Sequence, residues 1–90
     1  MEGRAYRIRG RVQGVGFRWW STRMAQRVGV TGTVRNEADG SVVIQAWGTA
    51  DRLARLEELL RSGPAGARVE AVERLPAPTT PPPSDFSIAR

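Results

Sequence analysis

The ten residues RVQGVGFRWW (residues 11–20) combine types and spacings that suit the binding of an anion. Gly14 and Gly16 lack a Cβ atom, so a loop built on them can turn several backbone N–H groups into one concavity. A helix is predicted to begin directly after this loop, and its N-terminal amides add donors and partial positive charge. The guanidinium of Arg18 could clamp two phosphate oxygens. Residues 13–18 have the parts of a phosphate-binding loop, although a tight strand-to-helix turn would also use both glycines.

The composition excludes most groups that could attack a bound phosphate. The chain contains no His and no Cys, and all 14 of its basic residues are Arg. There is consequently no imidazole base, no thiolate, no Cys or His ligand for zinc, and no lysine for a Schiff base or a P-loop. Arginine keeps its proton and cannot act as a base. The remaining groups favour a site that holds its ligand by fixed charge and donated hydrogen bonds.

The length of 90 residues fits one small domain spanning 1–90. The formal net charge of +5 either serves solubility or indicates an anionic partner, such as nucleic acid or a small phosphate. There is no long apolar run and no N-terminal leader pattern, so we expect no membrane association and a cytoplasmic location. No unusually apolar surface stripe predicts a dimer, so we expect a monomer.

The hydrophobic pattern predicts the elements that position the loop. They are a strand over 5–12, a helix over 18–28, strands over 30–36 and 41–48 joined by a turn at 37–40, a helix capped by Thr49 and ending near 62, a strand over 68–75, a proline-rich connector at 76–83 and a short edge strand within 85–90. This order, β-α-β-β-α-β with a short last strand, predicts a ferredoxin-like α+β sandwich. Two helices would lie on one face of a mostly antiparallel sheet.

Two tryptophans follow the loop, and the helix pattern gives them different places. Phe17, Trp20, Met24 and Val28 recur along one side of the first helix, so this stripe is predicted to face the core. Trp19 lies off the stripe and is expected to be partly exposed near the mouth of the loop.

The turn and the last strand are expected to have structural roles. The dipeptide Asp39-Gly40 is predicted to supply the positive-φ positions of the turn. Glu37 and Asp39 are therefore interpreted as turn residues rather than as an acid–base pair. Phe86 and Ile88 are expected to pack at the edge of the sheet.

Asn36 ends the strand before the turn. Strand alternation places it with Gly32 and Val34 on the side that the helices are predicted to cover. A partly buried amide there needs a hydrogen-bond partner, and a bound water would serve. Sequence spacing does not by itself bring Asn36 to the loop at 13–18.

The string IRGRVQGVGFR (residues 8–18) resembles the signature of the acylphosphatase family, an aliphatic residue, any residue, then G-x-V-Q-G-V-x-F-R. Every fixed position is matched. A second family signature, G-aromatic-V-R-N, three residues, G-x-V, five residues, G, is matched with intact spacing at residues 32–48. The single departure is Thr33, where the family prefers an aromatic residue, which bears on local packing or substrate shape. The resemblance covers nearly the whole chain.

The resemblance implies hydrolysis of acyl phosphates to a carboxylate and inorganic phosphate, without metal or cofactor. In the family, the loop amides and the signature arginine bind the phosphoryl group, and the asparagine of the second motif orients the attacking water. Carried over to this sequence, the phosphate would be bound by Gln13, Gly14, Val15, Gly16, Phe17 and Arg18, and the water by Asn36. An acyl phosphate has a stable carboxylate leaving group, so the reaction mainly requires positioning and charge stabilisation.

A basic RNA-binding module with the same element order is the alternative function. Arg7, Arg9 and Arg11 would then line an open sheet face. Such modules need stacking rings on the middle strands, and SVVIQAWG (41–48) offers only Trp47, so nucleic-acid binding is disfavoured. A third possibility is the acylphosphatase-like domain of hydrogenase maturation proteins that handle carbamoyl phosphate. A chain of 90 residues leaves no room for their attached domains.

Overall fold

Seven regular elements follow one another in the computed structural model, which describes residues 1–89; Arg90, for which the sequence predicts no role, lies outside them. They are β1 (Glu2–Arg11), α1 (Phe17–Val28), β2 (Thr31–Asn36), β3 (Val42–Gly48), α2 (Ala50–Ser62), β4 (Arg68–Leu75) and β5 (Phe86–Ile88). All of the predicted elements are present. The largest shift is at the start of β1, which begins at Glu2 rather than at residue 5.

The five strands form one sheet in the order β4-β1-β3-β2-β5. β1 pairs antiparallel with β3 and β4, β2 pairs antiparallel with β3, and β5 adds parallel to β2. The two helices contact each other and share one buried cluster with the sheet, so both cover the same face. This arrangement confirms the predicted ferredoxin-like α+β sandwich.

The core fills the space between this sheet face and the helices. Its fully buried side chains include Tyr6 and Ile8, which lie on one face of β1 as predicted, and Ile44 of β3. The predicted stripe of α2 is confirmed, since Leu53, Leu56 and Leu60 are all fully buried. Burying one such side chain stabilises the fold by about 1.5–3 kcal/mol. The cap of α2 is also confirmed, because the side chain at its N-cap accepts a hydrogen bond from the helix backbone.

Helix α1 is rotated relative to the predicted stripe. Its buried residues are Phe17, Ser21 and Ala25, whereas Trp20 and Met24 are only partly buried at the flank. The predicted stripe is confirmed in part, since Phe17 is buried and Trp20 and Val28 pack against the core. Ser21 and Ala25 lie deeper than expected, because small side chains allow the helix axis to approach the sheet closely. The larger ones then cover the gap between the helix and its neighbours.

Glu57 links α2 to the edge strand β4. Its carboxylate accepts hydrogen bonds from Arg61 at 3.0 Å and from Arg74 of β4 at 3.1 Å. Burial raises the pKa of Glu57, but the bonds from the two arginines outweigh this effect, so its pKa lies below the usual value of 4.5. A lowered pKa in the folded chain means that the charged form stabilises the fold. This contribution is present above about pH 4.5 and is lost as the pH falls through the folded-state pKa.

The Glu57→Gln variant tests this link. We expect the melting temperature of the wild-type chain to fall as the pH is lowered from about 6 to about 3, and the fall to be shallower in the variant. Glu58 is a matched control, because it neighbours Glu57 but its side chain is 71% exposed. Glu58→Gln should retain the pH dependence of the wild type. Thermal melts across this pH range make the measurement, and parallel curves for wild type and Glu57→Gln would contradict the assignment.

Candidate active site

The topology brings the ends of β1 and β2 to the same end of the sheet. Both strands run antiparallel to β3, which lies between them, so they run parallel to each other. Val42 of β3 shows the alignment, since it pairs with Ile8 on one side and with Asn36 on the other. The loop that follows β1 and the side chain that ends β2 therefore share one end of the sheet. Sequence spacing could not show this relation.

The loop between β1 and α1 depends on its two glycines. Gly14 has φ 73° and Gly16 has φ 79°, both in the left-handed region that favours glycine. A Cβ atom at either position would meet no heavy atom within 4 Å, so the glycines are required by the backbone conformation and leave open space above the loop. Gly16 is also the N-cap of α1, and no side chain caps this end. The first amides of α1 thus keep their donors for a ligand.

A cavity of about 170 Å³ opens beside this loop. It is lined by Val12, Gly14, Gly16, Phe17, Arg18, Trp19, Asn36 and Ile88. Arg18 and Asn36 thus share one cavity although they come from different elements. A second, adjoining depression is again lined by Arg18, Asn36 and Ile88, together with Ala89.

Arg18 presents a free guanidinium to the cavity. Its backbone carbonyl accepts hydrogen bonds from Ser21 Oγ at 3.1 Å and Thr22 Oγ1 at 2.8 Å, which brace the first turn of α1. Its side chain takes part in none of the ion pairs formed within residues 1–89. An arginine that lines the same cavity as Gly14 and Gly16 and forms no ion pair within these residues is suited to an anionic ligand.

Asn36 carries a buried acceptor that is left unpaired. Its Oδ1 atom is buried and has no hydrogen-bond partner among the described residues. Leaving a buried acceptor unsatisfied costs about 1–3 kcal/mol, so such an atom calls for a ligand or a water. Since Asn36 lines the cavity, a molecule bound there could satisfy it. The observation agrees with the prediction from strand alternation that the Asn36 amide is partly buried and needs a hydrogen-bond partner.

Gln13 ties the loop to the turn between β2 and β3. Its Nε2 atom donates to the backbone carbonyls of Glu37 and Ser41, both at 2.8 Å. This side chain is therefore turned away from the cavity, and Val15 packs against the core. Phe17 is buried, with its ring centroid 5.4 Å from that of Trp20. At these three positions of the predicted phosphate site, the backbone is the part that remains available to an anion.

The turn between β2 and β3 differs from its prediction in one respect. Gly40 has φ 91°, but Asp39 does not adopt a positive φ. Asp39 instead accepts hydrogen bonds from Ser41 through the hydroxyl at 2.6 Å and the amide at 2.9 Å, and these bonds hold the pKa of Asp39 below its usual range. Because the side chain braces the turn, only the glycine needs the left-handed conformation. Glu37 pairs with Arg35 at 2.9 Å, so both carboxylates are turn residues as interpreted.

Sequence reasoning missed the part that the last strand plays in this cavity. Ile88 was expected to pack at the sheet edge, but it lines the cavity and is 42% exposed. The neighbouring Phe86 is buried as expected. Trp19 also lines the cavity, and its predicted exposure near the loop is confirmed at 62%. A parallel pairing of β5 with β2 was the missing information, and no residue pattern in a three-residue strand indicates it.

The open face of the sheet is poorly suited to stacking bases. Trp47 is only 6% exposed, and it lies with Pro78 of the proline-rich connector against Gly3. Two of the three arginines proposed to line this face are paired with carboxylates: Arg7 with Glu37 at 3.8 Å, and Arg9 with Asp39 at 3.5 Å and Glu73 at 3.1 Å. Arg11, at the end of β1, takes part in none of the ion pairs within residues 1–89. On this face, residues 1–89 offer RNA no exposed ring at Trp47 and a single unpaired arginine in place of a basic row. Thr33 lies on this face too, opposite Gln45, so the departure from the second signature falls outside the cavity lining.

Two further features of residues 1–89 bear on the class of protein. None of the helices in this range is long and apolar enough to cross a membrane. Over the same range, His, Cys, Asp and Glu side chains form no group of three or more that could hold a metal ion.

The chain is a ferredoxin-like sandwich that carries, at one end of its sheet, a loop and an arginine suited to an anion. The chain belongs to the acylphosphatase family, whose model matches residues 4–88. This match confirms the resemblance seen in the two signatures.

Individual relatives agree with the family assignment. An acylphosphatase from Rhizobium etli is 54% identical over 82 residues, which cover 91% of this chain and 87% of that protein. An acylphosphatase from Nitratidesulfovibrio vulgaris is 49% identical over 90 residues, which cover 98% of this chain and 90% of that protein. The crystal structure of acylphosphatase from Bacillus subtilis matches with a TM-score of 0.87 and 30% identity, over 100% of both chains.

Proposed function

We propose that this acylphosphatase hydrolyses small acyl phosphates in the cavity between the 13–18 loop and the end of β2. Arg18 and the loop amides bind the phosphoryl group, and Asn36 orients the attacking water. The observation that carries this proposal is the buried Oδ1 atom of Asn36, which has no hydrogen-bond partner within residues 1–89, in a cavity shared with Arg18, which forms no ion pair in the same range. The substrate is a small-molecule acyl phosphate and the products are a carboxylate and inorganic phosphate.

Phosphate binding uses fixed donors. Gly14, Gly16 and the first residues of α1 line one cavity, so their backbone amides are the proposed donors, and the Arg18 guanidinium adds a full positive charge with a planar pair of donors. These groups hold the phosphoryl oxygens and stabilise the charge that builds on them in the transition state. Because the donors belong to a braced loop and helix, little reorganisation accompanies the reaction.

The hydrolytic step needs one water and no protein base. The Asn36 Oδ1 atom accepts a hydrogen bond from the water and so orients an oxygen lone pair of the water toward phosphorus. The new P–O bond forms as the bond from phosphorus to the acyl oxygen breaks, and the carboxylate leaves with the bonding electron pair. A substrate phosphate oxygen takes the proton of the water. A chain without His, Cys or Lys can therefore carry out this reaction.

Isotope labelling tests the proposed function directly. Hydrolysis of benzoyl phosphate in H₂¹⁸O, with EDTA present, should place the label in inorganic phosphate and leave the benzoate unlabelled. The rate with EDTA should equal the rate without it, since no step uses a metal ion. Mass spectrometry of both products makes the measurement, with the uncatalysed hydrolysis run in parallel. Label in the benzoate would show attack on the carbonyl carbon and would refute the proposed geometry.

A further inference from the structure

Two large apolar side chains are exposed in the wall of the cavity that contains Arg18 and Asn36. Trp19 is 62% exposed and Ile88 is 42% exposed, and the other exposed large apolar residue within 1–89 is the terminal Met1. Scattered exposure of single apolar residues is ordinary. Here both members line the same small cavity, beside a site built for an anion. We call Trp19 and Ile88 together the apolar rim.

The Trp19 half of the rim is held in place from its own helix. The guanidinium carbon of Arg23, one turn further along α1, lies 5.0 Å from the centroid of the Trp19 ring. This cation–π contact restrains the ring although the ring is exposed. Arg23 takes part in none of the ion pairs within the described residues, so its charge is available for this contact.

The Ile88 half of the rim is held in place by the sheet. Ile88 pairs with Val34 in the parallel contact between β5 and β2. The amide of Ala89 then donates to the carbonyl of Val34 at 2.8 Å, which fixes the chain directly after Ile88. Since β2 ends at Asn36, this half of the rim is anchored to the strand that carries the proposed water-orienting residue.

The substrate has a second end that this rim fits. The phosphoryl end of an acyl phosphate is charged and belongs with Arg18 and the loop amides, whereas its acyl end carries an apolar group. Apart from the two loop glycines, Arg18 and Asn36, the cavity is lined by apolar side chains: Val12, Phe17, Trp19 and Ile88. A planar aromatic group is suited to contact with an indole ring and an isoleucine side chain.

We propose that the apolar rim binds the acyl group and makes this chain selective for aromatic over small aliphatic acyl phosphates; this rests on the proposed function. The rim touches the part of the substrate that does not react. Its contacts are made in the ground state and in the transition state alike, so they lower KM and leave kcat nearly unchanged.

Steady-state kinetics with two probes test the rim. KM and kcat are measured for benzoyl phosphate and acetyl phosphate with the wild-type chain, Trp19→Ala, Trp19→Phe and Ile88→Ala. We expect Trp19→Ala to raise the KM for benzoyl phosphate about five- to tenfold at nearly constant kcat, and the KM for acetyl phosphate less than about twofold. Trp19→Phe retains a ring and should keep most of the preference. Ile88→Ala should shift the preference in the same direction as Trp19→Ala.

The outcomes distinguish a failure of the proposed rim from a failure of the proposed acyl phosphate hydrolysis. If Trp19→Ala changed the KM for both substrates equally, or left the ratio of their kcat/KM values unchanged, the proposed role of the rim would be refuted. Circular dichroism and a thermal melt check that each variant is folded. If the folded wild-type chain hydrolyses neither acyl phosphate, the proposed function is refuted, and so is the proposed role of the rim, which depends on it.

Discussion

Replacing Arg18 by alanine should abolish acyl phosphate hydrolysis and leave the fold intact. The variant loses the full positive charge and the paired donors that hold the phosphoryl oxygens. A positioned arginine in phosphoryl transfer contributes about 10³-fold or more to the rate. The side chain is exposed and forms no ion pair within residues 1–89, so its removal should change the melting temperature little. Phosphate release from benzoyl phosphate and a thermal melt make the two measurements.

Arg27 provides a matched control for this variant. It is also an exposed arginine of α1, but it lies toward α2, beside Met24 and Leu59, and not in the wall of the cavity. Arg27→Ala removes the same charge from the same helix and should retain nearly full activity. Arg18→Lys keeps the charge without the planar pair of donors and should recover only part of the rate. Full activity in Arg18→Ala would refute the proposed phosphate site.

Replacing Asn36 by alanine should lower kcat about 10²- to 10³-fold, with a smaller change in KM. The amide is proposed to orient the water and not to bind the phosphoryl group, so binding should survive its loss. Because the buried Oδ1 atom has no partner among the described residues, its removal should leave the melting temperature nearly unchanged. A loss of rate without a loss of stability is the combination that a purely structural asparagine would not give.

Gln45 provides the control for this second variant. It is an amide on the neighbouring strand β3, opposite Thr33 and on the sheet face away from the helices. Gln45→Ala should keep kcat near the wild-type value. Activity of Asn36→Ala equal to that of Gln45→Ala, measured on equally folded protein, would exclude the proposed role of Asn36 in orienting the water.

Most of the fold could be predicted because its signals are local. Alternation identifies β1 through Tyr6 and Ile8, and the leucine stripe identifies α2. The rotation of α1 could not be predicted in this way. Its deepest positions are Ser21 and Ala25, and small residues are selected by the distance between helix and sheet, which a hydrophobic pattern does not encode.

In the candidate site, too, only the features with a local sequence signal could be predicted. The conformation of the loop follows from Gly14 and Gly16, which the sequence shows directly. The approach of Asn36 to the loop depends on β3 lying between β1 and β2, and that is a property of the whole sheet. Ile88 enters the cavity through a parallel pairing of three residues, which is too short to leave a sequence pattern. Likewise, Asp39 has no positive φ, and its side chain instead accepts two hydrogen bonds from Ser41. Turn propensities alone do not predict this contact.

The double hydrogen bond of Gln13 has a consequence for refolding. Its two acceptors, the carbonyls of Glu37 and Ser41, are 24 and 28 positions further along the chain. This bond can form only after β1, β3 and β2 have paired in register, and contacts between distant segments form late. The packing of Phe17 on Trp20 is local to α1 and can form earlier. After dilution from denaturant, enzymatic activity should therefore not return before the three strands have paired.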